Sequence, residues 1–275
     1  AMGGECDFVS DIAIWYPLRV IMMILGVPEK DESLMLKLTQ EIFGSEDPDM
    51  QREGTDEERM QFMMDFFMYF SQMTADRRAN PGDDVASVIA NAVIDGQPIG
   101  EMEALGYYVI VATAGHDTTS ASTAGGLLAL MQNPEQMNKL RNDLSLLPHA
   151  IEEMFRWETP VKHFLRTATE DYTLRGRSIK EGDRLMMMYA SGNRDEEVFN
   201  NPFEFQVDRR PNKQIAFGYG VHRCLGHLLA KMEMSAFYKA LLERTTDIQL
   251  NGDPAWIHAT FVSGLKRLPV RFIAR

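Results

Sequence analysis

Cysteine is scarce in this chain. Cys6 and Cys224 are the two in 275 residues and lie far apart, which excludes the disulfide framework of small secreted domains. The opening Ala-Met-Gly-Gly-Glu-Cys-Asp does not resemble a secretory signal, so a reducing cytoplasm is the expected compartment. No apolar run approaches the roughly 20 residues that cross a bilayer; Val109-Ile-Val-Ala-Thr-Ala114 is short, and no membrane partner is expected. Positive charge is in deficit as well. A net charge of −12 argues against nucleic acid as the main partner, because phosphate binding needs a cationic surface. Flavin and nucleotide motifs are missing, and no internal repeat is found. What is present is apolar. A content of 45% hydrophobic residues over this length buries a large core, and 19 methionines point to a plastic interior, since the thioether fills irregular gaps.

The densest chemistry lies in Phe217-Gly-Tyr-Gly-Val-His-Arg-Cys-Leu-Gly226, followed by the helical run Leu228 to Phe237. Gly218, Gly220 and Gly226 surround Cys224, and glycine lets a backbone take positive φ and approach a bulky ligand. Such a loop can wrap a planar cofactor. Cys224 stands where the loop turns into a helix, so unpaired N–H groups and the helix dipole favour a thiolate there. A thiolate is a strong axial ligand for haem iron. On the residues alone, other readings stand beside this one. A cysteine before a helix is commonly a small buried hydrophobe. His222, Cys224 and His227 suggest zinc ligands, but a structural zinc site closes with four, and no nearby Cys or His completes the set. Gly218-x-Gly220 opens like a dinucleotide fingerprint, but Arg223 occupies the place of the third glycine.

Taken in order, the chain reads as mainly α with a small β portion. Asp11 to Leu25 is a buried helix with Pro17 near a bend, stopped by Gly26-Val-Pro28. Asp31 to Phe43 repeats Leu34, Leu38 and Ile42 at helical spacing, and Gly44 to Gly54 is a solvated loop. Asp56 to Arg78 carries Met60, Met63, Met64, Phe67, Met68, Phe70 and Met73, a wide apolar stripe expected to pack in the core. A shorter helix over Asp83 to Ala92 is closed by the Asp95-Gly96 turn. Glu101 to Met131 is the longest helical pattern, and its centre, Ala114-Gly115-His116-Asp117-Thr118-Thr119, is built of poor helix formers. This predicts a local opening of the i→i−4 ladder. Helices follow over Asn133 to Leu144 and Leu147 to Trp157, the latter carrying Glu153 and Arg156 on one face. Short segments at Leu165 to Thr169, Tyr172 to Leu174 and Leu185 to Tyr189 read as strands, Asn200 to Pro211 as irregular, and Asp247 to Leu250 with Val270 to Phe272 as a last hairpin.

The spacing Phe217-x-x-Gly220-x-x-x-Cys224-x-Gly226 resembles the haem-binding signature of the cytochrome P450 family. Ala114-Gly115-His116-Asp117-Thr118-Thr119 is similar to the oxygen-binding segment of that family's distal helix. Glu153-x-x-Arg156 resembles the tetrad that precedes the cysteine loop, with Arg209 in the place of the arginine that joins it. These motifs recur in the expected order over residues 114 to 226, and the wording around them resembles soluble bacterial members, closest to those that hydroxylate terpene alcohols. The resemblance implies one P450 domain over 1–275, with a long central helix over haem. Its helical part would cover about 10–160, the minor sheet and meander about 161–215, the thiolate loop and following helix 216–244, and a C-terminal hairpin 245–275. The family's N-terminal third has no counterpart before Asp11, and Ala1-Met2 looks like an artificial start, so the chain is expected to be truncated.

By the same resemblance, haem b is the cofactor, with Cys224 as its axial ligand. Gly218 and Gly226 would shape its seat, Phe217 would keep the thiolate dry, and His222 and Arg166 would bind its propionates. Ala114 and Gly115 would leave room over the iron. Thr118 would hydrogen-bond the oxygen there and Asp117 would relay protons through water. Glu153, Arg156 and Arg209 would form a structural lock. The implied reaction inserts one oxygen atom of O2 into a C–H bond of a small hydrophobic substrate such as a terpenoid. Electrons would come from a 2Fe-2S ferredoxin and its NAD(P)H-dependent reductase, with docking near Arg210, Lys213, Arg223 and Lys231. Two alternatives stand: the same haem used with peroxide or for rearrangement, against which Asp117-Thr118 argues, and a haem-poor or haem-free helical fragment without activity.

Overall fold

Caps and glycines divide the chain into the elements that carry its chemistry. The computed structural model describes residues 3–43, 47 and 55–275. Apart from Asp47, the expected loop over 44–54 lies outside them, as does the expected artificial start at Ala1-Met2. The chain forms two compact units, one of Val9–Ser120 with Ile257–Ala259, the other of Ala1–Phe8, Ala121–Trp256 and Thr260–Arg275. The expected helical part over about 10–160 is therefore shared between them.

Strand β1 (Gly3–Asp7) opens the chain and belongs to the second unit. The first unit is helical: α1 (Trp15–Leu25), α2 (Glu32–Phe43), α3 (Asp56–Ala79), α4 (Val85–Ala90), a hairpin of β2 (Val93–Ile94) and β3 (Gln97–Pro98), α5 (Glu101–Ala114), and the first turn of α6 (Asp117–Gln132). The helix expected from Asp11 starts instead with a π-helical turn over Val9–Ala13. Pro17 sits in the first turn of α1, where its missing N–H would have had no partner. Gly26 ends α1 with φ 86 and its N–H on the Met22 and Met23 carbonyls. Thr55 and Glu58 form a reciprocal cap on α3, and Asp84 caps α4 by accepting from the Ser87 N–H at 2.7 Å. Asp95 (φ 50) and Gly96 (φ 77) make the hairpin turn.

The core of this unit joins Leu18, Met22 and Leu25 to Phe66, Phe70 and Tyr108. Phe70 stacks on Tyr108 with centroids 4.8 Å apart, and the Tyr108 hydroxyl donates to the Ala86 carbonyl. The methionine stripe corrects the expectation of core packing. Phe70 and Met73 are buried, but Met60, Met63, Met64 and Met68 are 47–71% exposed. An apolar arc this wide exceeds the face one helix can press on its neighbours. The predicted opening of the long helix is a full break, with α5 ending at Ala114 and α6 starting at Asp117.

The second unit holds the rest of α6, then α7 (Pro134–Asn142), α8 (Leu147–Glu158), β4 (His163–Thr167), β5 (Tyr172–Leu174), β6 (Arg177–Ile179), β7 (Arg184–Met188), the single turn α9 (Tyr189–Gly192), α10 (His227–Arg244), β8 (Thr245–Leu250), β9 (Ala255–Trp256), β10 (Leu265–Arg267) and β11 (Pro269–Ala274). Antiparallel ribbons pair β4 with β7, β5 with β6 and β9 with β10. The expected last hairpin is part of a three-stranded sheet in the order β1-β11-β8. Gly3 pairs with Ile273 and Asp7 with Pro269, so residues before Asp11 have a partner at the far end of the chain. Residues 200–211 form turns, with no helix or strand. No helix among the described residues is long and apolar enough to cross a membrane.

Tyr238 of α10 anchors this unit. It is fully buried and donates to the Thr123 carbonyl of α6 at 2.6 Å. A Cβ at Gly126 would come within 2.8 Å of that hydroxyl and of Met154, so the glycine is what lets α6, α8 and α10 close up. One turn before Tyr238, Glu233 is 4% exposed, and its Oε2 has no hydrogen-bond partner among the described residues. Burial pushes its carboxyl up from 4.5 to about 7. The folded state thus holds this proton more tightly than the unfolded chain, and stability falls as pH rises from 4.5 to 7. We expect Glu233→Gln to match the wild type near pH 4.5 and to exceed it by about 2–3 kcal/mol at pH 8, as read from urea unfolding midpoints.

Candidate active site

Glu153 and Arg156 stand one turn apart on the buried face of α8, and neither side chain is exposed. The Arg156 Nε donates to Glu153 Oε2 at 2.7 Å and its Nη2 to Oε1 at 2.8 Å. Its remaining donors reach the carbonyls of Asn193 and Pro202, both at 2.8 Å, and of Glu204 at 3.1 Å. Arg209 closes on the same carboxylate, its Nε 3.1 and 3.0 Å from the two oxygens. Its other nitrogens donate to the carbonyls of Asn200, Asn201 and Glu204. The carboxylate also accepts from the Gln206 N–H and the Asn212 amide. An irregular segment has no ladder to satisfy its carbonyls. Here two guanidinium groups do it, and one carboxylate offsets part of their charge.

Sequence reasoning missed the residues that extend this network toward the cysteine loop. Thr159 ends α8 in the left-handed region (φ 44) and is buried. Its hydroxyl donates to the Arg156 carbonyl and accepts from the Asn193 side chain, both at 2.8 Å. Asn193 Oδ1 in turn accepts from the Ile215 N–H at 2.8 Å, and Ile215 O accepts from Gly218 at the start of the loop. Arg194 donates to the carbonyls of Arg156 and Trp157 and lies over the Trp157 ring. The only early signal was the polar pair Asn193-Arg194 itself, which carries no periodicity.

The loop is held from below by Phe217, whose ring lies 4.4 Å from that of Phe155 on α8. The Phe217 carbonyl accepts from the Cys224 N–H at 2.8 Å. Gly218 (φ 70) and Gly220 (φ 67) take the left-handed turns that the loop requires. Cys224 is exposed, so it is not a small core hydrophobe. Partial shelter pushes its thiol up, while the N–H groups of Gly226 and His227 bond it and pull it back. Those amides lie at the start of α10, where donors without intrahelical partners favour an anion. His227 Nδ1 is turned away to the Cys224 carbonyl at 2.8 Å.

The residues beside Cys224 in the loop leave an uncovered, largely apolar surface. Val221 and Leu225 are 97% and 98% exposed, and a Cβ at Gly226, whose φ is an ordinary −82, would touch nothing. Nothing among the described residues therefore demands glycine at 226, whereas close approach of a ligand would. In the ribbon of β4 and β7, Leu165, Met186, Met187 and Met188 are also exposed. His222 is exposed and has donors to offer. Arg166 lies on β4 with one guanidinium nitrogen on the Leu165 carbonyl.

The first unit carries the helix break. Ala114 is exposed and Asp117 and Thr118 are half-buried. Thr118 Oγ1 donates to the Ala114 carbonyl at 3.4 Å. Position 115 departs from the expectation of open room: a Cβ there would come within 2.5 Å of Ile21 Cγ1, so close packing of α1 on α5 requires the glycine. His116, which sequence reasoning passed over, is completely buried, with Nδ1 2.9 Å from the Ala112 carbonyl and Nε2 3.1 Å from Asp117 Oδ1.

The four expected docking cations do not stand alike. Arg210, Lys213 and Arg223 are exposed. Lys231 is bound to Glu152 at 2.5 Å and lies over the Phe217 ring, so its charge is already engaged.

Comparison with known proteins follows this geometry. The profile described as cytochrome P450 matches residues 47–246. The chain is 48% identical to cytochrome P450-terp of a Pseudomonas species, over 98% of its own length and 65% of that protein's. It is 38% identical to a steroid C26-monooxygenase of Mycolicibacterium smegmatis, over 98% and 67% of the two lengths. Among solved structures, a cytochrome P450 of Mycobacterium marinum in complex with pseudoionone superposes with a TM-score of 0.92 at 35% identity, covering 98% of this chain and 65% of that one. The chain thus spans about two thirds of the relatives it matches.

The buried trio makes a quantitative expectation. Glu153→Gln leaves two buried guanidinium groups without their counter-charge, and should cost about 3–5 kcal/mol. Lys180→Gln removes only the exposed pair with Asp171 and should cost under about 1 kcal/mol. Urea unfolding of both variants checks the contrast.

Proposed function

Because the chain belongs to the cytochrome P450 family, we propose that it works as a haem-thiolate monooxygenase, inserting one atom of O2 into a C–H bond of a small hydrophobic substrate. The observation that carries this reading is Cys224 on an exposed glycine loop, with two backbone N–H groups on its thiol and uncovered apolar side chains beside it. Haem b, when bound, supplies the oxygen activation and the oxidising power. Cys224 is its axial ligand in this reading, and the Gly226 and His227 amides hold the sulfur's negative charge. Phe217 shields the sulfur from water. Gly218 and Gly226 allow close approach, His222 and Arg166 bind the carboxylate arms, and Ala114 is the cofactor-facing position at the helix break.

Asp117 and Thr118 do the acid work. The carboxylate holds a proton and the threonine Oγ passes it on, an acid and alcohol pair acting as general acid. Glu153, Arg156 and Arg209 touch no reacting atom and keep the loop in place through Asn193 and Ile215. The substrate class is terpenoid. The name P450-terp and the pseudoionone complex among the relatives support it, while the steroid C26-monooxygenase name points to a larger apolar substrate. Two electrons come from a 2Fe-2S ferredoxin and its NAD(P)H-dependent reductase, docking at Arg210, Lys213 and Arg223, and the setting is cytoplasmic. Residues 1–275 belong to one domain in this reading.

A second reading has support in the exposed methionines of α3, a surface of the kind that wants a cover: a haem-poor helical fragment without activity. The absorption spectrum of the reduced, carbon-monoxide-bound protein separates the two. We expect the thiolate Soret band in the wild type and its loss in Cys224→Ser; a colourless wild type would overturn the monooxygenase reading. In Thr118→Ala we expect product formation to fall about 10–100-fold while reductant is still consumed and peroxide appears, measured as product and peroxide per NAD(P)H.

A further inference from the structure

The histidine at the helix break has a proton arrangement that the geometry restricts. His116 Nδ1 lies 2.9 Å from the Ala112 carbonyl, which can only accept, so this nitrogen carries a hydrogen. The other nitrogen then holds a proton only if the ring is cationic. Nε2 lies 3.1 Å from Asp117 Oδ1. A bare Nε2 facing an ionised carboxylate would set two lone pairs against each other. One proton must therefore sit between them, on the ring or on the carboxyl, and either way the pair has no net charge, which is what lets the ring be fully buried.

The contact is short but lies off the line of a good hydrogen bond, since Nε2 has no aligned partner. A bent bond and the attraction of charge together hold it. Asp117, 27% exposed at its side chain, is the movable member, and the ring, fixed through Nδ1, is the static one. Burial drives the histidine toward its neutral form, but the bond and charge of Asp117, with the Ala112 carbonyl, outweigh burial and raise its pKa.

Among the described residues, Asp117 is the charged group in contact with the ring. Several charges of the neighbouring elements of this unit are engaged elsewhere. On α1, Arg19 pairs with Glu32 of α2. On α3, Arg77 is bound to Asp84 and to the Gly26 carbonyl, and Arg78 to the carbonyls of Ala90 and Ile99. Helix α4 carries no ionisable side chain. The acidic residues of α5, Glu101 and Glu103, are in its first turn, at the end away from the break.

We propose that His116 is a positioning residue for Asp117: the two share one proton across the break between α5 and α6, and this holds the carboxylate in place for its hand-over to Thr118. The inference rests on the reading of Asp117 and Thr118 as the proton path, and it adds the residue that sets where the carboxylate stands and when it is charged.

The test is an NMR titration of the full chain labelled with 15N-histidine, in the reduced carbon-monoxide form or in the bare chain if no haem is held. Six histidines are present, and His116→Gln identifies the resonances of interest. We expect His116 Nδ1 to stay protonated throughout and Nε2 to keep its proton to higher pH than the exposed histidines. In Asp117→Asn that retention should vanish, Nε2 losing its proton at or below their midpoint. An unchanged His116 titration in Asp117→Asn overturns the shared proton. A second arm compares His116→Gln, whose amide can still donate, with His116→Phe. Peroxide released per product should rise about 10-fold in the phenylalanine variant and be largely restored in the glutamine one, with the thiolate Soret band intact in both. Equal coupling in the two variants overturns the positioning role. Loss of the band itself would instead count against the haem reading, so the failures are distinguishable.

Discussion

One buried carboxylate, that of Glu153, holds two arginines that would otherwise have no reason to be in the interior. Arg156 and Arg209 between them take up carbonyl groups from residues 193–204, a stretch with turns but no helix or strand. Desolvating three charges is costly, and a trio of this kind is weak evidence for stability as such. Its value here is geometric. A segment with no ladder is given one conformation, and that conformation leads through Asn193 and Ile215 into Gly218 and the cysteine loop. The Phe155–Phe217 contact ties the loop to α8 as well.

The two chemical centres of the chain differ in how they use burial. Cys224 is open, with apolar neighbours at 221 and 225 facing outward, and its polarity is set by backbone N–H groups that cannot move far. The break at residues 115–116 is closed around a histidine and is partly open at Asp117 and Thr118. A rigid donor set suits a permanent ligand, while a partly exposed carboxylate on a fixed ring suits a group whose proton has to travel. The difference follows from local backbone: the start of a continuous helix in one case, an interrupted helix in the other.

Much of this was legible in the sequence, and the reasons it was or was not are specific. The i,i+3 spacing of Glu153 and Arg156 put them on one face, and the threonines and glycine at 115–119 announced the break, because both depend on residues close in the chain. Arg209 came only from family resemblance, since no local pattern links it to α8. Nothing local marked β1 either; its partner β11 lies at the opposite end of the chain. The periodicity of α3 showed an apolar arc but not which part of it finds a neighbour, so the methionines at 60, 64 and 68 were placed in the core when they face out. Thr159 and Asn193 gain meaning only from their contact with each other, and His116 from the positions its two ring nitrogens take against Ala112 and Asp117. Gly115 was expected to leave space, whereas Ile21 fills it. Lys231 looked like a surface cation until Glu152 and Phe217 were seen around it.

The wedge of Ile21 against Gly115 reaches further than packing. It makes the geometry of the break answerable to an aliphatic side chain on another helix, with no polar atom involved. Trimming or branching that side chain would give or remove mechanical slack at the joint between two helices without touching an ionisable group. Position 21 thus shapes the helix break without carrying a charge or a hydrogen bond, which a search confined to acids and alcohols would overlook.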